Sequence, residues 1–393
     1  MLIVTNHLGR SADEAWLLDD LARALVRQGH AVDVLVADPK RPRPRGLQPS
    51  DTPGLRIMSV GPEHAGASVP SRVRAHLAVV AGLWTRGRRW ARAEGPYDLG
   101  LYTSIAAFSW GLPGHLRRRG TLRALTLVLW DFFPVHQLEI GRLGGATRRL
   151  GGLLKHVEAR AVAPADVVAL MSPANVDFFH RYFPRLRNRT VVVPPWSSAA
   201  PVPAGDEAGV PDRLRVVFGG QLARGRGVAT LVEAARLLAG DPVEVVVAGD
   251  GPERETLERR AAGTSVRFLG QVPRPDYRRA LASADVGLAI TVEGVSPPTF
   301  PSKIAEYCAV GLPVLVAVEP SSDAGRMVEE HGAGLAVPAG DPAALAQALR
   351  RLRAEQEAGE LAVRADAARR FAQDRLSVDA AARSLVSTAA DPA

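Results

Sequence analysis

The sequence is short of cysteine, of aromatics and of long apolar runs, and each shortage excludes something. Its one cysteine, Cys308, rules out a disulfide framework and a cysteine-based zinc site, and it fits a reducing, cytoplasmic compartment. No apolar run reaches the roughly 18 residues that span a bilayer. The longest candidate, Ala75 to Trp84, is interrupted by His76. The opening MLIVTNHLG has no basic region before its apolar stretch, so a β-strand is expected there and not a signal peptide. Phe, Trp and Tyr make up 5% of the 393 residues. With no zinc-finger spacing and no RNP-type aromatic motif, nucleic-acid binding is not expected. Gly (37) and Pro (30) follow no repeat, which excludes collagen-like and low-complexity chains.

What is present describes a folded enzyme-sized chain. Hydrophobic residues are 47% and charged residues 23%, enough to bury sizeable cores in two or three domains. The net charge is +8, and basic residues outnumber acidic ones most heavily between Lys40 and Arg92. Such a surface suits a polyanion, an anionic membrane or a phosphate-bearing substrate; a solvated arginine-rich face is the plainer alternative.

Strand-like and helix-like segments alternate, the pattern of parallel sheets with crossover helices. Strands are expected at Leu2–Asn6, Ala31–Ala37, Asp98–Ser104, Leu122–Trp130, Asp166–Ser172 and Thr190–Trp196. A helix is expected from about Ala12 to Gln28, with Leu17, Leu18, Leu21 and Leu25 on one face. Residues 39–54, rich in Pro and Arg, read as a surface loop. A helix from Ser71 to Ala93 combines Arg72, Arg74, Arg86, Arg88, Arg89 and Arg92 with Leu77, Val80, Leu83, Trp84 and Trp90. Residues 197–212 read as a linker. The pattern then restarts with strands at Leu214–Gly220, Val243–Gly251, Val266–Val272, Ala284–Ile290 and Pro313–Glu319. The expected fold class is α/β: two tandem doubly wound Rossmann-like domains, 1–196 and 213–372, with a helix and tail at 373–393 and a ligand cleft where the domains face each other.

Several nucleotide motifs are missing. Gly225-x-Gly227 has Thr230 where a dinucleotide fingerprint needs a third small residue, and there is neither a P-loop nor a G-x-S-x-G elbow. Two loop-to-helix junctions suit a diphosphate instead. In FGGQLARGRGVATLVEA, Gly219 and Gly220 let backbone approach a ligand, and Arg224 and Arg226 bring positive charge. In SPPTFPSKIAEYCAVGLPV, Ser302 is expected to cap the helix, and Lys303 and Glu306 share a face at i, i+3. Lys303 suits phosphate oxygens and Glu306 a pair of ribose hydroxyls. An ordinary glycine turn and a surface ion pair are the competing readings.

Together the junctions resemble the retaining family 4 glycosyltransferases of the two-domain GT-B fold. GGQLARGRGVATLVEAARLL, VVVAGDGPERETLE, VRFLGQVPRPDYRRALASADVGLAI and FPSKIAEYCAVGLPVL are each similar to a segment of that family. The resemblance covers residues 1–385 and is stronger in the second half. It implies sugar transfer with retention, from a nucleotide diphosphate to an acceptor hydroxyl, with no metal or other cofactor. Three departures stand out. In the family's Glu-x7-Glu motif, Glu306 matches the second Glu while Pro298 occupies the first position. Glu293 or the backbone of Thr299 and Phe300 are the possible substitutes. The family's phosphate-binding Arg falls on Gln221 and its Lys on Arg226. Its first-loop glycine pair is only Gly9-Arg10.

The resemblance makes Gly219, Gly220, Arg224, Gly251, Val272, Thr299, Phe300, Ser302 and Glu306 the donor-binding residues, and Arg226 and Lys303 the charge stabilisers. In the first domain, LWDFFPVHQLEIG offers Asp131 and His136 for the acceptor, with Gly9 in the first loop; a helix cap with a hydrophobic plug is the alternative. UDP ranks first as donor nucleotide, ahead of GDP and dTDP. The P-S-K-x-x-E-Y variant is associated with relatives that build cell-surface polysaccharides and glycolipids. With the basic 71–93 helix, it implies weak contact with the inner membrane face; a buried helix with a basic end is the competing reading. A nucleotide-sugar epimerase and a non-catalytic nucleotide-sugar binder are the alternatives.

Overall fold

The computed structural model describes residues 1–9, 17–40, 43–64, 66, 68–103, 111–141, 149–199 and 212–390. It divides into two units: Met1–Val193 with Val378–Ala393, and Pro194–Ser377. Most of the stretch read as a linker, residues 200–211, lies outside the described residues, as do residues 12–16 of the expected first helix.

The first unit holds an eight-stranded sheet of β1 (Leu2–Thr5), β2 (Val32–Val36), β3 (Gly46–Gln48), β4 (Leu55–Ser59), β5 (Tyr97–Thr103), β6 (Leu122–Leu129), β7 (Val167–Leu170) and β8 (Arg189–Val192). The spatial order is β3-β4-β2-β1-β5-β6-β7-β8. All pairs are parallel except β3 with β4. The central strands are mostly apolar because helices cover parallel sheets on both faces; β1 and β2 are buried at every residue, Asp33 included, whose carboxylate accepts from Arg56 and Tyr97. In the Leu17–Arg27 helix, Leu18, Leu21 and Leu25 reach the core at helical spacing. The closing helix, Val378–Ala390, packs on that helix and on β6 and β7.

The 39–54 segment is not all loop, since β3 lies within it and pairs with β4 as an edge ribbon. The Pro and Arg residues that flank it at positions 41–45, 49 and 53 mask this short edge strand, which itself contains neither. The 71–93 helix is real but not uniform. It runs Val69–Gly82, continues through a π-helical segment at Leu83–Gly87, and ends at Arg88–Glu94. Leu83 and Trp90 lie in the core, while Val73 and Leu77 are 54% and 63% exposed.

The second unit holds six parallel strands, β9 (Leu214–Gly219), β10 (Val243–Ala248), β11 (Val266–Gly270), β12 (Val286–Ile290), β13 (Val314–Val318) and β14 (Gly334–Pro338). Their order is β11-β10-β9-β12-β13-β14. This is the doubly wound order in which the strand sequence reverses between the first and fourth strands, here β9 and β12. In open α/β sheets, ligands bind at that reversal, beyond the carboxyl ends of the strands. Among the described residues, no helix is long and apolar enough to cross a membrane.

Candidate functional site

The reversal between β9 and β12 brings both sequence junctions to the carboxyl ends of the two central strands of the second sheet. Strand β9 ends in Gly219 and Gly220. A side-chain carbon on Gly219 would lie 2.3 Å from the Tyr277 hydroxyl. Gly220 has φ +155°, and a carbon there would lie 2.9 Å from Lys303 Cε and 3.2 Å from its Nζ. The positive φ favours glycine here, and the bare turn leaves room for the end of the lysine side chain to lie across it. The neighbouring loop is as tight: a carbon on Gly249 would meet the Gly220 carbonyl at 1.8 Å, and one on Gly251 the Leu222 carbonyl at 2.2 Å. Gly251 thus serves loop packing, and Leu222 N–H donates to the Asp250 carbonyl at 2.9 Å.

Lys303 opens the Lys303–Val310 helix after β12 and is partly buried. Its ammonium stands 4.9 Å from the centre of the Phe218 ring. Burial, and then repulsion from Arg226, lower its pKa to about 8 against the pull of Glu306. A cation held at this cost is poised for an anion. Arg224 and Arg226 are exposed just before Gly227, whose φ of +70° starts the Val228–Leu237 helix. Two helix N-termini, each biased positive, therefore follow the two strands at the reversal. Glu306 is partly buried one turn into its helix, and Val272 is partly buried in the loop after β11.

Ser302 occupies the expected cap position, but its side chain makes no capping hydrogen bond. The helix instead starts with Ile304 N–H donating to Pro301 O at 3.1 Å and Ala305 N–H to Ser302 O at 3.2 Å. Phe300 is 5% exposed. Thr299 has its donors committed internally: its N–H and its hydroxyl give to Glu319 at 2.6 and 2.9 Å. Glu293 is exposed, and its carboxylate lies over Gly340, after β14.

Sequence reasoning missed three supports. Tyr307 is fully buried; its hydroxyl accepts the Gly219 N–H at 3.0 Å and pairs with the Tyr277 hydroxyl. Its ring lies on β12 where Gly287 leaves room. Glu319, at the end of β13, is 1% exposed. The quoted motif contained Tyr307, but a tyrosine in a helix carries no mark of the strand it will touch.

In the first unit, Asp131 follows β6 and is exposed, and His136 lies in the Val135–Glu139 helix with its Nδ1 buried and unbonded among the described residues. Glu158, in the Gly151–Val162 helix, is 7% exposed. Burial pushes its carboxyl up to about 8, with the Phe133 backbone and Tyr182 close by but not in good hydrogen-bond geometry. Gly9 is tied down on both sides: its N–H donates to Asp19 at 3.0 Å and its carbonyl accepts from Arg43.

Residues 213–355 match the sequence model of the family described as Glycosyl transferases group 1. The chain is 28% identical over 133 residues to a probable glycosyltransferase, WbjE, of Pseudomonas aeruginosa, covering 33% of each chain. It is 32% identical over 239 residues to a phosphatidyl-myo-inositol mannosyltransferase of Mycobacterium leprae, covering 58% of this chain and 54% of that one. The chain thus spans about a third to a half of the curated relatives it matches. Among solved structures, the sucrose-phosphate synthase of Thermosynechococcus elongatus superposes with TM-score 0.74 at 19% identity, over 98% of both chains. Anabaena HepE in complex with UDP and glucose does so with TM-score 0.64 at 17% identity, over 100% of this chain and 99% of that one. Residues 213–355 are therefore a group 1 glycosyl transferase domain, carried by a chain of the GT-B fold.

Proposed function

We propose that this protein is a retaining glycosyltransferase of family 4 that moves a sugar from a nucleotide diphosphate, UDP first, to an acceptor hydroxyl in polysaccharide or glycoconjugate biosynthesis. The observation that carries the reading is the convergence at the β9–β12 reversal. There a close-packed glycine turn, the Lys303 ammonium and two helix N-termini meet. In transfer, the bond from the anomeric carbon to the diphosphate oxygen breaks and its electron pair leaves with UDP. The acceptor oxygen forms the new bond on the same face, and its proton balances the charge of the departing diphosphate. Lys303, Arg226 and the helix ends stabilise that growing charge, which is where binding energy accelerates a reaction. Glu306 takes the ribose hydroxyls, and Asp131 orients the acceptor. Bound UDP and glucose in HepE support this assignment of the donor.

Weak contact with an anionic membrane surface belongs to the same reading. Its apolar part comes from Val73 and Leu77, since Leu83 and Trp90 are core residues. Exposed Arg72, Arg74, Arg86 and Arg89 supply the charge. The test of transfer is incubation with UDP-sugars and measurement of UDP release with and without acceptors. Acceptor-dependent release is expected. Conversion of the nucleotide-sugar without release would indicate an epimerase, and binding without turnover a non-catalytic binder.

A further inference from the structure

We infer that Glu319 is a positioning residue that holds the Thr291–Ser302 loop in register for the donor's sugar, replacing the structural part of the first Glu absent at Pro298. The inference rests on the donor-site reading above. Glu319 is 1% exposed at the end of β13. One carboxylate oxygen accepts the Thr299 N–H at 2.6 Å. The other accepts the hydroxyls of Thr299 at 2.9 Å and Thr291 at 2.7 Å. Ser322 adds a hydroxyl bond to the Thr299 carbonyl at 2.5 Å, and Ser321 one to Val295 O at 3.3 Å. Among the described residues, no Lys, Arg or His forms an ion pair with Glu319.

A buried carboxylate with no cation depends entirely on its hydrogen-bond donors. All three come from the loop after β12, at its first residue and at the residue just before Phe300. The loop cannot shift without stranding that charge, so the carboxylate fixes where Phe300, Ser302 and the start of the Lys303–Val310 helix stand. Proline at 298 cannot contact a sugar through a side-chain acid, so the backbone that follows it has to be placed accurately. Glu319 acts through Thr299 and touches no reacting atom.

The test uses the full-length protein with Glu319→Gln, Thr299→Val and the double variant. Glutamine keeps the shape but puts an amide donor among three loop donors. For Glu319→Gln, the KM for the UDP-sugar is expected to rise at least about tenfold, while the Kd for UDP stays within about twofold. The double variant should lose no more kcat/KM than Glu319→Gln alone, because both remove one clamp. Unchanged KM, additive losses, or a parallel loss of UDP and UDP-sugar affinity would overturn the inference. Hydrogen exchange gives a readout independent of activity. Residues 291–302 should exchange at least about tenfold faster in Glu319→Gln while β9 and β10 are unaffected. Equal protection would overturn the clamp even if the enzyme is active. A wild-type protein that neither binds UDP nor transfers sugar, but shows the exchange effect, would refute the donor-site reading and leave the clamp standing.

Discussion

Replacing Lys303 by methionine should make the protein more stable and a worse binder. The side chain keeps its length and its position over the Phe218 ring, but the ammonium is gone. Lys303 ordinarily titrates at 10.5 and is lowered to about 8, first by burial and then by Arg226. That gap amounts to about 3 kcal/mol of strain on the charged form at neutral pH. Between pH 8 and 10.5 the unfolded chain keeps the lysine proton that the folded protein has lost, so wild-type stability should rise with pH in that window. Lys303→Met should recover part of the 3 kcal/mol at pH 7 and raise the melting temperature of the second unit by about 2–8 °C. Its stability should no longer climb above pH 8. UDP affinity should fall about 10- to 150-fold, the value of a hydrogen bond to a charged group, while uridine affinity changes little. Thermal melts from pH 6 to 10 and calorimetric titrations with UDP and uridine measure all of these. A variant that melts lower and binds UDP as before would refute the reasoning and make Lys303 a structural residue.

Other outcomes follow from the same site. Glu306→Ala should weaken UDP and uridine alike by about 10- to 150-fold in calorimetry, because the ribose hydroxyls lose a charged acceptor; unchanged affinity would leave Glu306 as a surface ion-pair group. Asp131→Asn should spare UDP binding and reduce transfer to a verified acceptor, and full transfer would remove it from the acceptor assignment. Co-sedimentation with vesicles should rise with anionic lipid and fall with salt. Leu77→Glu should weaken it further, and equal recovery on neutral vesicles would end the membrane reading.

The two loop-to-helix junctions were legible because each depends on residues adjacent in the chain: a strand, a tight loop with glycines after β9 and prolines after β12, and a helix start. The supports were not legible. Glu319 ends a strand and looks like any surface acid until Thr291 and Thr299 are brought to it from 28 and 20 residues away. Tyr307 reaches Gly219 across 88 residues. The 71–93 helix read both as membrane-contacting and as buried with a basic end, and only the fold turns Trp90 and Leu83 inward against the first sheet. Strand β14 had no distinctive pattern, since Gly334–Pro338 is flanked by glycine and ends in proline.

The first unit is completed by the last helix of the chain. Arg27 and Gln28 bind Asp379 at 3.0 and 3.1 Å, and Arg189 bonds to Thr388. Everything between Pro194 and Ser377 belongs to the other unit. During synthesis, the ribosome therefore delivers a complete second unit before the first has its closing helix, so the domain begun first is finished last. Until then, the face made by the Leu17–Arg27 helix, β6 and β7 lacks its cover, and the nascent chain carries an apolar surface for the whole time the second unit is being made.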